Sequence, residues 1–254
     1  MRASAARRTP GARLTPEDLF DFDQDHYGGI AAVATLARRA GIRAGSLVLD
    51  VCAGLGGPAR FLAACHSCQV VALELHAGRA AAAARLTLDV GLARAVRAIR
   101  GDAIALPFRR ASFDACVSQE GLLHIPDKAA VLRECHRVLR PGGRLAFSDW
   151  IAHRLDDAER RYLQRWMAAH SLQSIDGYRA VLGRAGFGAV EAEDITPEWR
   201  PVLRARVERH RAERGAMTAR FGAAWFDDYE RLLGFFVTLI EAGKLGGGRF
   251  SGTA

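Results

Sequence analysis

The sequence of 254 residues contains no apolar run approaching the ~20 residues that cross a bilayer. Its start, Met1 to Arg13, carries arginines with no apolar stretch behind them, which argues against a secretory leader and reads as a tail. The cysteines do not form a disulfide framework. Cys52, Cys65, Cys68, Cys116 and Cys135 are odd in number and lie mostly inside apolar segments, the pattern of reduced thiols. Cys65 and Cys68 have C-x-x-C spacing, but no second pair follows to complete a tetrahedral zinc site, so no metal is expected. Also missing is any tract of basic residues interleaved with aromatics. The formal net charge is +8, yet it is almost all arginine and is scattered among acidic residues, as in Arg204-Ala205-Arg206-Val207-Glu208-Arg209. That is a solvated helix face, not a nucleic-acid track. These absences leave a soluble cytoplasmic protein with neither a membrane nor a nucleic acid as partner. Half the residues are hydrophobic, enough for one sizeable core.

What is present is an alternation. Apolar runs at 47–51, 70–75, 96–99, 113–118 and 144–148 read as buried strands bounded by turn residues. Between them, 58–64, 77–89 and 128–139 have helical spacing, as does 30–39 before the first strand. Strands alternating with helices imply a parallel sheet covered on both faces, and right-handed crossovers make it doubly wound. After Trp150 the rhythm changes. Helices are expected over 156–171 and 175–185, a strand over 189–194, and a long helical segment over 197–244. The glycine run Gly246-Gly247-Gly248 then leads into a last short strand.

The strongest local signal is Val48-Leu49-Asp50-Val51-Cys52-Ala53-Gly54-Leu55-Gly56-Gly57-Pro58, a buried strand running into a glycine-rich turn and a helix. Such a turn brings backbone close to a ligand. It does not read G-x-G-x-x-G, the form that cradles a dinucleotide pyrophosphate. Glu74 closes the second strand, where a carboxylate can accept from both hydroxyls of a ribose.

Further along, Gly101-Asp102-Ala103, Leu106-Pro107-Phe108, Ser112-Phe113-Asp114 and Arg137-Val138-Leu139-Arg140-Pro141-Gly142-Gly143 follow in order. From Val48 to Trp150 the chain resembles a class I S-adenosylmethionine-dependent methyltransferase. The resemblance implies a Rossmann-like, mostly parallel sheet of seven strands with the last antiparallel, and a helical lid. It also implies that the turn carrying Asp50, Ala53, Gly54 and Gly56 holds the methionine part of S-adenosylmethionine, with Gln119 nearby. Glu74, followed by Leu75, resembles the ribose ligand, and Asp102 with Ala103 the adenine pair. The product would be S-adenosylhomocysteine. Acceptors and carboxylates suit a sulfonium and an ammonium, where a pyrophosphate would need amide donors. Cys52 departs from the family, which usually has glycine there. A positive φ at that position would strain it, and a locally adjusted loop is expected.

The segment Ser118 to Lys128, containing Leu123-His124-Ile125-Pro126-Asp127-Lys128, resembles that of phosphoethanolamine and sarcosine/dimethylglycine N-methyltransferases. Asp23 to Gly29 resembles their N-terminal lid, and Gly243 to Phe250 the ending of the dimethylglycine subgroup. The resemblance implies that His124 activates an amine with Tyr27 as its partner, and an imidazole is suited to accept a proton near neutrality. Gln24, His26, Glu120, Trp150 and Trp199 are the candidate substrate residues. The expected organisation is a tail and lid over 1–29, a methyltransferase domain over 30–254, and a substrate cap inserted at 197–244. An amine on a small molecule is the leading acceptor. O- or C-methylation of a natural product, RNA or protein methylation, and a non-catalytic cofactor-binding module are the alternatives. Monomer and homodimer both stay open.

Overall fold

The structure, a computed structural model, describes residues 14–254; the tail expected over 1–13 lies outside them. Seven strands form one sheet in the order β3-β2-β1-β4-β5-β7-β6. They are β1 (Leu47–Val51), β2 (Gln69–Glu74), β3 (Val96–Arg100), β4 (Phe113–Gln119), β5 (Leu139–Ala152), β6 (Gly188–Asp194) and β7 (Leu245–Thr253). The first five are parallel neighbours, and β7 runs antiparallel between β5 and β6. This is the mostly parallel, doubly wound sheet expected from the alternation of elements.

The two faces separate by the period-2 alternation of side chains along each strand. Val48 of β1 joins Val33 and Leu36 of α1 (Gly29–Arg39) and Leu62 of α2 (Gly57–His66) in one core layer. Leu49 and Val51 turn to the other layer, against Val131 and Leu132 of α4 (Lys128–Val138) and Leu182 of α6 (Ile175–Arg184). The helix α3 (Ala77–Asp89) packs near β2 and β3 at one end of the sheet. The helix α5 (Asp157–Met167) follows β5 and starts on a capping box made by Asp156 and Glu159. Strand order reverses between β1 and β4, and the crevice at their carboxyl ends is where open α/β sheets bind ligands.

Between β6 and β7 lie α7 (Thr196–Ala212), α8 (Arg214–Phe221) and α9 (Ala223–Glu241). Of these, α7 and α9 pack on the sheet through a third apolar cluster that includes Trp199, Leu203, Leu233 and Phe236 with Tyr27, Leu123 and Trp150, and α8 packs on α9. Two boundaries differ from expectation. The β5 ladder takes in Pro141-Gly142-Gly143, which reads in sequence as a break. The run Gly246–Gly248 is itself buried strand, because the start of α7 and the Trp199 ring lie directly on it.

No helix among the described residues is long and apolar enough to cross a membrane.

Candidate active site

A cleft of about 800 Å³ opens over the carboxyl ends of β1 to β5 and is roofed by residues 23–27 and by α7 and α9. Its two ends differ in chemistry. Toward β1–β3 the walls are Asp50, Ala53, Gly54, Glu74, Leu75, Asp102 and Ala103. Toward β4, β5 and the cap they are Glu120, Leu123, His124, Trp150, Met167, Arg206, Tyr229, Leu233 and Phe236.

At the first end, Glu74 organises the loops. Its Oε2 accepts from the Gly54 N–H at 2.9 Å and its Oε1 from the His76 N–H at 2.8 Å. Each oxygen keeps a lone pair toward the cleft. Asp50 is buried at the end of β1 with Oδ2 unpartnered. Burial, reinforced by the negative charge of Glu74, pushes its carboxyl up to about 7. Gln119 Oε1 is likewise buried without a partner. Two orphaned acceptors converging on one cleft suit a cationic ligand rather than a phosphate. Asp102 Oδ1 accepts from the Ile104 N–H at 3.1 Å, which shapes the turn after β3. Beside it Leu75 is 61% exposed, an apolar side chain on the rim that a planar base would cover.

The glycine-rich turn contains the predicted strain. Cys52 has φ 62°, the left-handed region, which costs a residue with a Cβ roughly 1–2 kcal/mol. Its Cβ occupies the space beside Gly121, where a second Cβ would come within 2.4 Å. The turn is therefore accommodated by a glycine on the neighbouring strand end. Gly56 caps α2 in the left-handed conformation and does not line the cleft.

Residues 15–27 form a strap that packs on α2 and reaches the cleft at Asp23 and Asp25–Tyr27. Phe20 packs edge-on against Phe61 at 5.4 Å. Asp23 Oδ2 accepts from Arg60 Nε and Nη2 at 3.2 and 2.8 Å, and Arg60 is fully buried. The strap backbone passes so close to α2 that a Cβ on Gly57 would lie 2.1 Å from the Asp23 carbonyl oxygen. A polar chain then runs inward. Gln119 Nε2 lies 3.1 Å from His26 Nδ1, which also lies 3.3 Å from the Tyr27 carbonyl oxygen; His26 Nε2 lies 2.9 Å from Gln24 Oε1, and Gln24 Nε2 donates to Asp23 Oδ1 at 2.7 Å. Burial pushes His26 down to about 4, so its ring is a neutral structural link. Gln24 stands behind it, outside the cleft wall.

At the second end, Glu120 follows β4 with φ 51°, left-handed like Cys52. Its Oε1 accepts from the Tyr27 N–H at 2.5 Å. Burial pushes its carboxyl up to about 8. His124 closes the single 3-10 turn Leu122–His124 and is exposed to the cleft. Its Nδ1 lies 3.1 Å from the Ala168 carbonyl oxygen. A carbonyl can only accept, so Nδ1 carries the proton and the lone pair of the neutral ring is on Nε2.

Tyr27 does not pair with His124. Its ring stacks on Trp199 at 4.6 Å and meets Trp150 edge-on at 5.3 Å, and its hydroxyl is buried without a partner. Trp199 lies behind Tyr27, 2% exposed, and does not line the cleft; it borders a second, smaller cavity of about 150 Å³. Trp150 does line the cleft.

Two features were missed in the sequence. Arg206 of α7 places its guanidinium 4.5 Å from the Tyr27 ring centroid, facing the cleft. Leu232, Leu233 and Phe236 of α9 also line it, alongside Tyr229, an aromatic residue of the expected cap segment. Their i, i+3, i+4, i+7 spacing is visible in the sequence but is the same stripe that a core-facing helix shows. Among the described residues no group of three or more His, Cys, Asp or Glu is placed to hold a metal ion.

Asp50 and Glu120 give a pH dependence of stability. Both bind a proton more tightly folded than unfolded, where carboxyls titrate near ~4. The folded state thus holds more protons, and stability falls as pH rises toward their folded values. His26 acts in the opposite sense, but only between about 4 and its ordinary 6.5. From pH 6.5 to 8 the two carboxyls dominate, and the ligand-free protein is expected to lose thermal stability across that span. Glu120→Gln should flatten the dependence in differential scanning calorimetry. A wild-type slope of zero, or one that Glu120→Gln leaves unaltered, would contradict the assignment.

Residues 49–147 match the family described as Methyltransferase domain. A 27-O-demethylrifamycin SV methyltransferase of Amycolatopsis mediterranei is 34% identical over 81% of this chain and 76% of its own length. The chain belongs to the class I S-adenosylmethionine-dependent methyltransferases. Methyltransferase GfsG of Streptomyces halstedii is 35% identical over 65% of this chain, which spans 61% of that protein's length. Among solved structures, phosphoethanolamine N-methyltransferase 2 of Haemonchus contortus, with phosphomonomethylethanolamine and S-adenosylhomocysteine, superposes with a TM-score of 0.84. It is 23% identical and the match covers 93% of this chain and 55% of that one, so it bears on the fold alone.

Proposed function

We propose that this methyltransferase acts on an amine nitrogen carried by a small molecule with a substantial apolar body. The observation that carries the reading is Glu120, a half-buried carboxylate that lines the cleft together with His124, Trp150 and Tyr229. A carboxyl pushed up to about 8 regains its charge when a cation binds beside it, and aromatic faces add to the attraction.

Glu74 would hold the ribose of S-adenosylmethionine, Leu75 and Asp102–Ala103 its adenine, and Asp50 and Gln119 its amino-acid end. When bound, that cofactor supplies a methyl group activated by a sulfonium. Everything else falls to the chain. Glu120 binds the acceptor's ammonium, and His124 Nε2 takes the proton that must leave before nitrogen can attack. Leu123, Met167, Leu233 and Phe236 exclude water and seat the apolar body. Fixing the two reactants together accounts for as much as ~7–11 kcal/mol of barrier.

Glu74→Ala is expected to weaken S-adenosylhomocysteine binding by about 1–3 kcal/mol in calorimetric titration, because ribose hydroxyls lose an acceptor.

A second reading, a hydroxyl on a lipophilic natural product, is favoured by the apolar walls and by the likeness to the rifamycin methyltransferase. Methyl-labelled cofactor offered with matched pairs on one skeleton, phenethylamine against phenethyl alcohol and decylamine against decanol, separates the two. Label on the amines supports the proposal; label confined to the alcohols replaces it with the second reading.

A further inference from the structure

Behind the His124 turn lies a buried ionic cluster that does not reach the cleft. Lys128, at the start of α4, is 3% exposed; Asp149 of β5 and Tyr178 of α6 are fully buried. The Tyr178 hydroxyl donates to Asp149 Oδ2, and Lys128 Nζ lies 3.8 Å from the same oxygen. Lys128 Nζ then donates to the Leu122 carbonyl oxygen at 2.5 Å. Leu122 opens the 3-10 turn that His124 closes. On its other side the turn is docked by the Ser171 N–H on the Leu123 carbonyl at 3.1 Å and by His124 Nδ1–H on Ala168.

We infer that Tyr178, Asp149 and Lys128 form a positioning relay that sets the Leu122–His124 turn so that Nδ1 of His124 reaches Ala168 and Nε2 faces the acceptor. The burial is expensive: it pushes Lys128 down to about 8 and Asp149 up, although the backbone N–H groups of Trp150 and Leu123 favour the Asp149 carboxylate. Apolar residues of similar size commonly stabilise a core as well or better. Leu122 is already bonded by the Ile125 N–H at 2.9 Å, so the turn closes without the lysine. What Lys128 adds is a second tie from the turn to β5 and α6 through Asp149 and Tyr178, beside the Leu123 N–H that already meets the Asp149 carboxylate. The three are positioning residues, since none of them lines the cleft.

The catalytic consequence rests on reading His124 as the base, but the geometry can be tested without any acceptor. The full-length protein labelled with ¹⁵N in its histidine rings is examined by NMR at pH 7.5, as wild type, Lys128→Met and Tyr178→Phe, each with S-adenosylhomocysteine. The wild type should show His124 as one tautomer, protonated at Nδ1. Lys128→Met should convert it to a mixture or to the Nε2–H form while S-adenosylhomocysteine affinity is unchanged. Tyr178→Phe keeps the ring that fills the core and removes only the hydroxyl, so it carries the test if Lys128→Met fails to fold; it should shift the tautomer in the same direction. A His124 tautomer that is mixed in the wild type, or unchanged in the folded variants, overturns the relay. Loss of the base reading shows separately, as a His124→Ala enzyme that retains full turnover.

Discussion

His124→Ala is expected to depress turnover by about 10²–10⁴-fold, the range for removing a positioned general base, with cofactor affinity nearly unchanged. An amine in water is protonated and cannot attack a methyl group until it loses that proton. The structure places one exposed imidazole on the cleft wall toward β4, β5 and the cap, the proposed acceptor side, with Nδ1 turned to the Ala168 carbonyl. None of the residues at the β1–β3 end bonds to it, so its loss should leave cofactor binding alone. Steady-state rates with calorimetric titration of S-adenosylhomocysteine check both halves. Full turnover in a folded His124→Ala protein would leave the enzyme working by proximity, and the amine reading would lose its proton acceptor.

Asp23→Ala is expected to destabilise the protein by about 3–5 kcal/mol, because removing one partner of a buried pair strands the other. Arg60 would keep the Ala83 carbonyl and Thr87 hydroxyl at 3.4 and 3.3 Å but lose its counter-charge. The strap would lose its anchor as well. Asp23, Asp25, His26 and Tyr27 all face the cleft, so cofactor affinity should fall together with stability. Asp23→Ala combined with Arg60→Met removes the stranded charge and should recover much of the stability without restoring affinity. Chemical denaturation and titration of the two variants separate these effects. Equal stability of Asp23→Ala and wild type would mean that the pair does not hold the strap.

The sheet was legible because its strands are continuous apolar runs flanked by glycine and because helical spacing alternates with them. Glu74 was legible for a related reason, since it closes a strand and strand ends can be located in sequence, whereas Asp50 and Asp102 were singled out only by the family resemblance. The acceptor side was less so. Trp199 and Tyr27 are aromatic residues near the site in any pattern-based reading, yet one packs behind the other and neither touches His124. Arg206 belongs to a run of arginines at a spacing that marks a solvated face, and only the packing of α7 over Tyr27 sets it apart. The left-handed conformation of Glu120 depends on long-range contacts with the strap and has no local signal, since glutamate is not a residue that marks positive φ. Lys128 and Asp149 reach each other across β5 and α4, a tertiary contact that no spacing announces.

One cleft is proposed to hold the cofactor at its β1–β3 end and the acceptor at β4, β5 and the cap, and a crystal structure with S-adenosylhomocysteine tests that division most directly. The ribose hydroxyls should lie on Glu74, the adenine between Leu75 and Ala103, and the sulfur should point toward Glu120 and His124. A ribose bound away from Glu74, or a sulfur turned away from His124, would contradict it.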